Sequence, residues 1–340
     1  MDNTTKFFIG IDVSKPHFDV SLMAVINHEK QTVETGRFDN TIPGLKLFDK
    51  WLKKYRVSFD ENSLLVIENT GIYHRLLWSY CSNKNLPIHI GNAAHIKWSF
   101  GIARGKNDII DSLRLCQYGF KEADTLKATP GLNPVLILLK DLVTSRSKLI
   151  SQINSIKTYI KELKDINDRA TQNLLAESYK DAIKGIAKSI KKIEAEIKKI
   201  IAGDPALKTN YDLLISVPGI GRVTAVYMLC CTANFAGKIN GKQLACYAGV
   251  VPFEYQSGIS IKGKSRVHKM ANKDLKKLVN MGALSAIRCY PEFRNYYERK
   301  TKEGKHPYSV INAIRNKIIL RAVAVVNNQK PYVNNYIVAA

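Results

Sequence analysis

The stretch FFIGIDVSK, residues 7–15, decides how the start of this chain folds. Its first five positions are apolar or glycine, which is typical of a central strand buried within a sheet. Asp12 follows at once, and the chain turns polar after it. A carboxylate at the exit of a buried strand either caps a turn or supplies one ligand of a metal site whose other ligands lie far along the chain.

The segments that follow predict an α/β domain that ends near Pro130. Short apolar runs between polar turns predict strands, and apolar residues three or four positions apart predict helices. In chain order these elements are strands at 6–13, 17–26 and 31–39, a helix at 42–55, a strand at 63–71, a helix at 73–84, a strand at 86–92 and a helix at 106–120.

The middle of the chain has the apolar spacing of a coiled coil. Steps of three and four residues connect the apolar positions of two runs, which are Leu149, Ile153, Ile156, Ile160 and Leu163, and then Ile183, Ile186, Ile190, Ile193, Ile197 and Ile200. Polar residues 164–173 separate the runs. This pattern is compatible with an antiparallel hairpin and also with one interrupted long helix.

The last part of the chain predicts a mainly helical domain. The sequence PGIG at 218–221 lies between two apolar helical segments and resembles a helix-hairpin-helix turn, in which glycines let backbone amides approach a phosphate. A tight connection between two helices is the alternative. A loop rich in glycine and lysine is predicted at 251–275, and helices continue to about Val326. The expected division is therefore 1–130, 131–205, 206–326 and a tail at 327–340.

Charge indicates the class of partner. The 340 residues include 52 Lys and Arg against 29 Asp and Glu, which gives a net charge of +23. Such a surplus indicates a polyanionic partner, because it otherwise costs self-repulsion in the compact state. No apolar run approaches the roughly 20 residues of a membrane span, and the start MDNTTK lacks a signal-peptide pattern. The six cysteines lack zinc spacing and are interpreted as buried thiols, so we expect a cytoplasmic nucleic-acid-binding protein without disulfides, zinc or a membrane partner.

Four carboxylates stand at the ends of predicted elements. Asp12 ends the first strand, Glu68 ends a strand expected to neighbour it, and Asp108 and Asp111 share one face in the first turn of a helix. Each has a structural alternative, as a capping residue, a helix-dipole partner or a solvated side chain. Jointly they predict an all-oxygen pocket that suits Mg²⁺ or Mn²⁺ and supports phosphodiester chemistry.

The motifs GIDVSK, ENTGIYHRLL and ARGKNDIIDSLRLCQYG resemble the RuvC-like DEDD domain of IS110-type insertion-sequence transposases, relatives of the pilin-gene invertases. VPGIGRVTA, CYAGVVPFEYQSG and KGKSRVHKMANKDLKKLV resemble the second domain of that family. The resemblance covers roughly residues 6–125 and 210–290. It implies an RNase H-like (RuvC-like) α/β domain, a central coiled coil and a mainly helical C-terminal domain.

The resemblance also implies a function. Members of that family cut and rejoin the DNA of their own element, guided by an element-encoded bridge RNA that pairs with target and donor DNA. Asp12, Glu68, Asp108 and Asp111 match the acidic metal ligands, and Ser257 matches the serine nucleophile. The expected nucleic-acid contacts are Lys15, Arg104, Lys106, Gly219, Gly221, Arg222, Lys262, Lys264, Arg266 and Lys269.

The resulting hypothesis is strand exchange through a phosphoserine. Ser257 would attack phosphorus, and a second DNA end would displace it. Ser260 and Ser265 are competing candidates, and no Ser/His/Asp triad is evident in the sequence. In a dimer or tetramer, the serine of one protomer could complete the acidic site of another.

Two further functions are compatible with the same residues. A junction-resolving endonuclease would use the acids and water without a serine, and a trapped covalent intermediate would distinguish the two. A non-catalytic DNA- or RNA-binding protein would keep the charge and the PGIG turn while its acids were structural. An RNase H-like ATPase is disfavoured because no glycine-rich phosphate loop of the usual spacing is found.

Overall fold

The computed structural model describes residues 5–27, 29–69, 71–100, 107–163, 166, 168–257, 261–267 and 270–334. The chain forms two compact units, Met1–Leu132 and Asn133–Ala340. Across the described ranges, no helix is long and apolar enough to cross a membrane. The four-part division expected from the sequence stays a prediction.

The first unit is an α/β domain built on a six-stranded sheet. Its strand order is β3–β2–β1–β5–β6, and β4 also pairs with β2. The central strand β1 pairs antiparallel with β2 and parallel with β5. In chain order the elements are β1 (Lys6–Val13), β2 (His17–Ile26), β3 (Glu29–Lys30), β4 (Glu34–Asp39), α1 (Ile42–Lys54), β5 (Ser63–Glu68), α2 (Arg75–Lys84), β6 (Ile88–Gly91), α3 (Ala93–Ser99) and α4 (Asp108–Lys121).

Strand β1 separates two apolar layers. Alternate residues of a strand point to opposite faces, and Phe7, Ile9 and Ile11 pack into the layer that contains buried residues of α1 and α2. Phe8 points the other way, into a cluster with Cys116 of α4. Helices therefore cover both faces of the sheet, which explains why residues 7–11 carry no polar side chain.

The second unit is mostly helical. All the buried apolar residues that the structure describes in this unit belong to one cluster. In chain order its elements are α5 (Pro134–Leu163), α6 (Arg169–Gly203), α7 (Pro205–Ile215), α8 (Arg222–Cys231), α9 (Gly241–Tyr247), β7 (Phe253–Ser257), β8 (Ile261–Arg266), α10 (Lys273–Cys289), α11 (Pro291–Lys302) and α12 (Pro307–Asn328).

The two long helices of this unit form an antiparallel pair. Arg146 Nε donates to Glu194 Oε1 at 2.7 Å. The rings of Tyr159 and Tyr179 meet edge to face, with centroids 6.2 Å apart. Early residues of α5 thus contact late residues of α6, and later ones contact earlier ones. Of the two alternatives left by the sequence, the structure has the hairpin, while coiled-coil packing stays a prediction.

Two expectations from the sequence are wrong in detail. The loop predicted at 251–275 contains the antiparallel strands β7 and β8. In the sequence Phe253, Tyr255 and Ile261 alternate with polar or small residues, which is typical of strands. Glycine and lysine obscured that alternation. The cysteines are free, but only Cys81 and Cys116 are buried as expected. Cys289 is exposed at the end of α10, and the others, Cys230, Cys231 and Cys246, are half-buried.

Candidate metal centre

Two of the predicted acids lie at one edge of the sheet. Asp12 is the penultimate residue of β1, and Glu68 is the last residue of β5. These strands are parallel, with Ile11 opposite Ile67. The next residue of each strand therefore lies at the same edge and points to the same face.

Helix α4 supplies the other two acids from its first turn, which contains Asp108 and Asp111. Asn107 fixes this end of the helix, because its Oδ1 accepts a hydrogen bond from the Ile110 backbone N–H at 2.7 Å. Such an N-cap satisfies a donor that the helix itself leaves unpaired. The position of the two carboxylates is therefore tied to a defined helix start.

Gly10 brings α4 close to the central strand. A Cβ at this position would lie 2.1 Å from both the Cys116 nitrogen and the Ser112 oxygen of the α4 backbone. Only glycine permits that approach. Gly10 and Asp12 point to the same face because they are two residues apart in a strand, so the start of α4 lies over the Asp12 side of the sheet.

The charges of this cluster act strongly on Asp12. Burial and, after it, the carboxylates of Asp111, Asp108, Glu68 and Asp19 raise the pKa of Asp12 from 3.8 to about 6. The structure thus brings Glu68, Asp108 and Asp111 within electrostatic reach of Asp12. A site that concentrates negative charge in this way favours a bound cation.

The sequence analysis missed Asp19 and Arg37. Asp19 lies opposite Asp12 in the β1–β2 pairing, and its side chain is 4% exposed. Arg37 neutralises it with two hydrogen bonds, Nε to Oδ1 at 2.9 Å and Nη2 to Oδ2 at 3.1 Å. Nη2 also lies 3.2 Å from Asp108 Oδ2. The available signal for Asp19 was a single carboxylate inside the mostly apolar run HFDVSLMAVI.

His17 completes a compact group of potential ligands. Its Nε2 lies 3.6 Å from Asp19 Oδ2 and 3.6 Å from Asp108 Oδ2. Among the residues that the structure describes, these three form the one group of His, Cys, Asp or Glu side chains whose ligand atoms all lie within 4.8 Å of one another. The His17 Nε2 is buried and has no hydrogen-bond partner in the described part of the chain.

The acidic cluster around Asp12, together with His17, offers ligands that suit a divalent cation. Carboxylate oxygens dominate the donor set, which suits a hard ion such as Mg²⁺ or Mn²⁺, and the repulsion expressed in the Asp12 pKa is the repulsion that such an ion would relieve. Asp108 belongs both to the predicted tetrad and to the group with His17. Asp111 is tied to Arg114 at 2.9 Å. The tetrad as the ligand set stays a prediction.

Ser257 is the last residue of β7, and its backbone pairs with Ile261 of β8. Lys262, Lys264 and Arg266 lie on β8, the strand that pairs with the strand ending in Ser257. Most of the predicted basic run therefore belongs to the same strand pair as the serine. Lys269 lies outside the described residues. Ser257 and the acids belong to different units, and its role as nucleophile stays a prediction.

The PGIG turn joins α7 to α8. Gly219 has φ +88°, and a Cβ there would lie 2.8 Å from Ile318 Cδ1 and 2.9 Å from the Gly282 oxygen, so helix packing alone requires glycine at this position. Gly221 and the exposed Arg222 line a cavity of about 700 Å³ between α5, α6, α7 and α8.

The other predicted nucleic-acid contacts lie in the first unit. Lys15 is exposed in the turn between β1 and β2. Arg104 and Lys106 lie outside the described residues. Nucleic-acid binding by the basic residues and by the PGIG turn stays a prediction.

Both units match models of known transposase families. A model of the DEDD transposases of IS110 elements, described as a transposase, matches residues 9–165, a range that contains all four predicted acids. A second, described as the transposase IS116/IS110/IS902 family, matches residues 211–298, which include Ser257. DEDD transposase domains are usually metal-dependent, in agreement with the acidic cluster.

Individual relatives extend the match along nearly the whole chain. The pilin gene-inverting proteins of Moraxella bovis and Moraxella lacunata are each 28% identical over an alignment of 338 residues. Each match covers 96% of this chain and 98% of the relative. A 43.6 kDa protein of insertion element IS110 from Streptomyces coelicolor is 26% identical over 149 residues, 44% of this chain and 36% of that protein.

The acidic edge of the sheet lies in the segment that one family model matches, and the serine hairpin lies in the segment that the other matches. The pilin gene-inverting proteins align with this chain over almost their full length. The chain therefore belongs to the IS110 family of transposases, enzymes that cleave DNA strands and transfer them.

Proposed function

We propose that this transposase recombines the DNA of its own insertion element with a metal-bound acidic site in a RuvC-like domain and with Ser257 as the nucleophile. The observation that carries the proposal is the convergence of the other three predicted acids on Asp12, whose pKa rises to about 6. Asp12, Glu68, Asp108 and Asp111 would hold Mg²⁺ or Mn²⁺. When bound, such an ion withdraws charge from the phosphodiester and from the attacking and leaving oxygens.

The chain's own residues account for the covalent steps. Ser257 Oγ forms a bond to phosphorus while the bond from phosphorus to one deoxyribose oxygen breaks, and that oxygen leaves as a hydroxyl after it gains a proton. The serine proton passes to solvent. In the second step a DNA hydroxyl attacks the phosphoserine and releases the serine. The phosphoester bond is conserved throughout, so no external energy source is needed.

The basic residues bind the nucleic acids in this proposal. Lys262, Lys264 and Arg266 follow Ser257 on β8, where cations would hold the scissile phosphate and offset charge in the transition state. The net charge of +23 supports simultaneous binding of donor DNA, target DNA and a structured guide RNA in the cytoplasm. A homo-oligomer, dimer or tetramer, would bring the required strands together.

A covalent trap tests the serine. We expect the wild-type protein, incubated with Mg²⁺ and a plasmid that carries the element and its flanks, to give a protein–DNA adduct on a denaturing gel. Ser257→Ala should abolish the adduct, whereas Ser265→Ala, a matched change at an exposed position of β8, should retain it. An adduct that persists in Ser257→Ala would contradict the assignment of Ser257 as the nucleophile. Cleavage without any adduct would favour the junction-resolving endonuclease.

Asp12→Asn tests the acidic site. The variant keeps the size of the side chain but removes its charge, so Mg²⁺-dependent cleavage should fall at least about a hundredfold, as expected when an oxyanion-stabilising or ligand group is lost. Asp124→Asn, at an exposed acid in the turn after α4, is the control and should cleave normally. Full cleavage by Asp12→Asn would refute the site.

Two further measurements address the partners. We expect a defined RNA to co-purify with the protein, and ribonuclease treatment to abolish recombination. We also expect a mixture of Asp12→Asn and Ser257→Ala proteins to regain activity if the serine acts on the acidic site of another protomer. Recombination that survives ribonuclease would contradict the guide.

A further inference from the structure

A row of charged side chains crosses three adjacent strands beside the acidic site. Asp12 of β1 lies directly opposite Asp19 of β2, and Asp19 lies directly opposite Arg37 of β4. Directly opposite residues of antiparallel strands point to the same face of a sheet. All three side chains therefore lie on the face that also carries Gly10, against which α4 packs.

This row would be unfavourable without Arg37. Asp12 and Asp19 are like charges in neighbouring strands, and like charges placed directly opposite destabilise a sheet. Asp19 is also nearly inaccessible to water. The bidentate bond from Arg37, at 2.9 and 3.1 Å, supplies both the opposite charge and the hydrogen bonds that a buried carboxylate requires.

The same guanidinium reaches a residue on a different element. Its Nη2 lies 3.2 Å from Oδ2 of Asp108, whose side chain is 54% exposed. The helix backbone at this point is held independently, by the close approach of α4 to Gly10 and by the Asn107 cap. The contact from Arg37 therefore constrains the Asp108 carboxylate rather than the position of the helix.

We propose that Arg37 is a positioning residue of the acidic site. It holds the Asp108 carboxylate over the row and keeps Asp19 neutralised, so that Asp108 rather than Asp19 is presented to the divalent cation. The inference rests on the proposed function, because it assumes that the acids hold a metal ion. It adds a residue that lies outside the acidic tetrad and that acts through Asp108.

A positioning role and a purely electrostatic role for Arg37 predict opposite changes in the affinity for the divalent cation. Removal of a positive charge beside a cation site should strengthen cation binding if charge alone matters. Loss of a side chain that orients a ligand should weaken binding, by about tenfold or more. A lysine at the same position keeps the charge but loses the planar fork that reaches two carboxylates. Arg37→Lys should therefore weaken binding if Arg37 acts through geometry.

The experiment is calorimetric titration of the full-length protein with Mn²⁺ alone, without DNA. We expect Arg37→Gln and Arg37→Lys to raise the Mn²⁺ dissociation constant about tenfold or more. Arg56→Gln, the same substitution at an exposed arginine in the turn after α1, should leave it unchanged. An Arg37→Gln constant equal to or below that of the wild type would overturn the inference, and so would normal binding by Arg37→Lys.

A second variant covers the possibility that Arg37→Gln does not fold, since it leaves the buried Asp19 unpaired. The double variant Asp19→Asn, Arg37→Gln removes that charge, and its Mn²⁺ dissociation constant should still be raised. Wild-type affinity for Mn²⁺ in a folded double variant would overturn the role of Arg37 but leave the proposed metal site unaffected. Normal binding by Asp12→Asn, or no saturable binding by the wild type, would overturn the proposed metal site and the inference with it.

Discussion

Asp12 shows how burial and repulsion at one residue create a site. Its carboxylate is partly buried among four others, and both effects disfavour its ionised form. The folded pKa of about 6 lies above the ordinary value of 3.8. Between these values the folded state holds more protons than the unfolded state, so the metal-free protein loses stability as the pH rises.

This pH dependence of stability gives a prediction for the protein kept metal-free by a chelator. Asp12→Asn should stabilise it at pH 8 by about 1 kcal/mol, a figure reduced because solvent screens a partly exposed group. The gain should shrink as the pH falls through 6 and disappear below about 4. Urea unfolding at several pH values measures it, with Asp124→Asn as the control. An equal gain in stability at pH 4 and pH 8 would show that the ionisation of Asp12 is not its cause.

At this scale the sequence predicts the individual acids better than their surroundings. Asp12 and Glu68 end strands, and Asp108 and Asp111 begin a helix, so element ends locate them. Asp19 and Arg37 lie inside strands, where their meeting depends on the register of β1, β2 and β4. Register is fixed by long-range pairing, which periodicity within one strand does not reveal.

At the scale of elements, the contact between β1 and α4 determines the geometry of the acidic site. The two elements meet at Gly10, where the helix backbone occupies the space of a side chain. Two further contacts fix the same face, the hydroxyl hydrogen bond between Ser21 and Ser112 at 2.9 Å and the bond from Cys116 Sγ to the Phe8 oxygen at 3.1 Å.

Gly10→Ala should therefore destabilise the protein by about 3 kcal/mol, the upper end of the usual range for overpacking, because both clashing atoms belong to a backbone. Gly185→Ala is the control. That glycine lies in α6 with open space where a methyl group would stand, so alanine should stabilise by up to about 1 kcal/mol. Urea unfolding of both variants compares them, and a neutral Gly10→Ala would show that α4 can move away freely.

Elements with one clear hydrophobic periodicity could be predicted from the sequence. Elements whose residues are equally typical of another structure could not. β1 and β2 have the bounds expected from their apolar runs. The β7–β8 hairpin was hidden by its glycine and lysine content, which is also typical of loops. The heptad spacing of α5 and α6 indicated a packed seam but not its direction, because the same spacing serves one continuous helix or two antiparallel ones.

For the whole molecule, charge divides unevenly between the units. Residues 1–132 contain 17 Lys and Arg against 14 Asp and Glu, whereas residues 133–340 contain 35 against 15. Nearly the entire positive surplus belongs to the second unit. Because phosphate binding scales with the cations available, we expect this unit to supply most of the affinity for nucleic acid.

A fragment of residues 1–132 tests this division. Its three buried clusters draw only on its own residues, so we expect a cooperative thermal transition. It should bind Mn²⁺ as the full chain does, but should bind duplex DNA far more weakly and with a shallower dependence on salt. A fragment of residues 1–106 lacks α4 and should not fold. DNA affinity equal to that of the full chain would contradict the division.

The spacing of two residues between Gly10 and Asp12 has a consequence for how this sequence can diverge. Gly10 sets how closely α4 packs on the strand, and Asp12 lies one pleat further along the same face, within electrostatic reach of the acids in the first turn of α4. Insertion or deletion of one residue between them would turn the carboxylate to the opposite side of the sheet. We therefore expect the length of this interval to be kept in active relatives, even where the side chains around it differ.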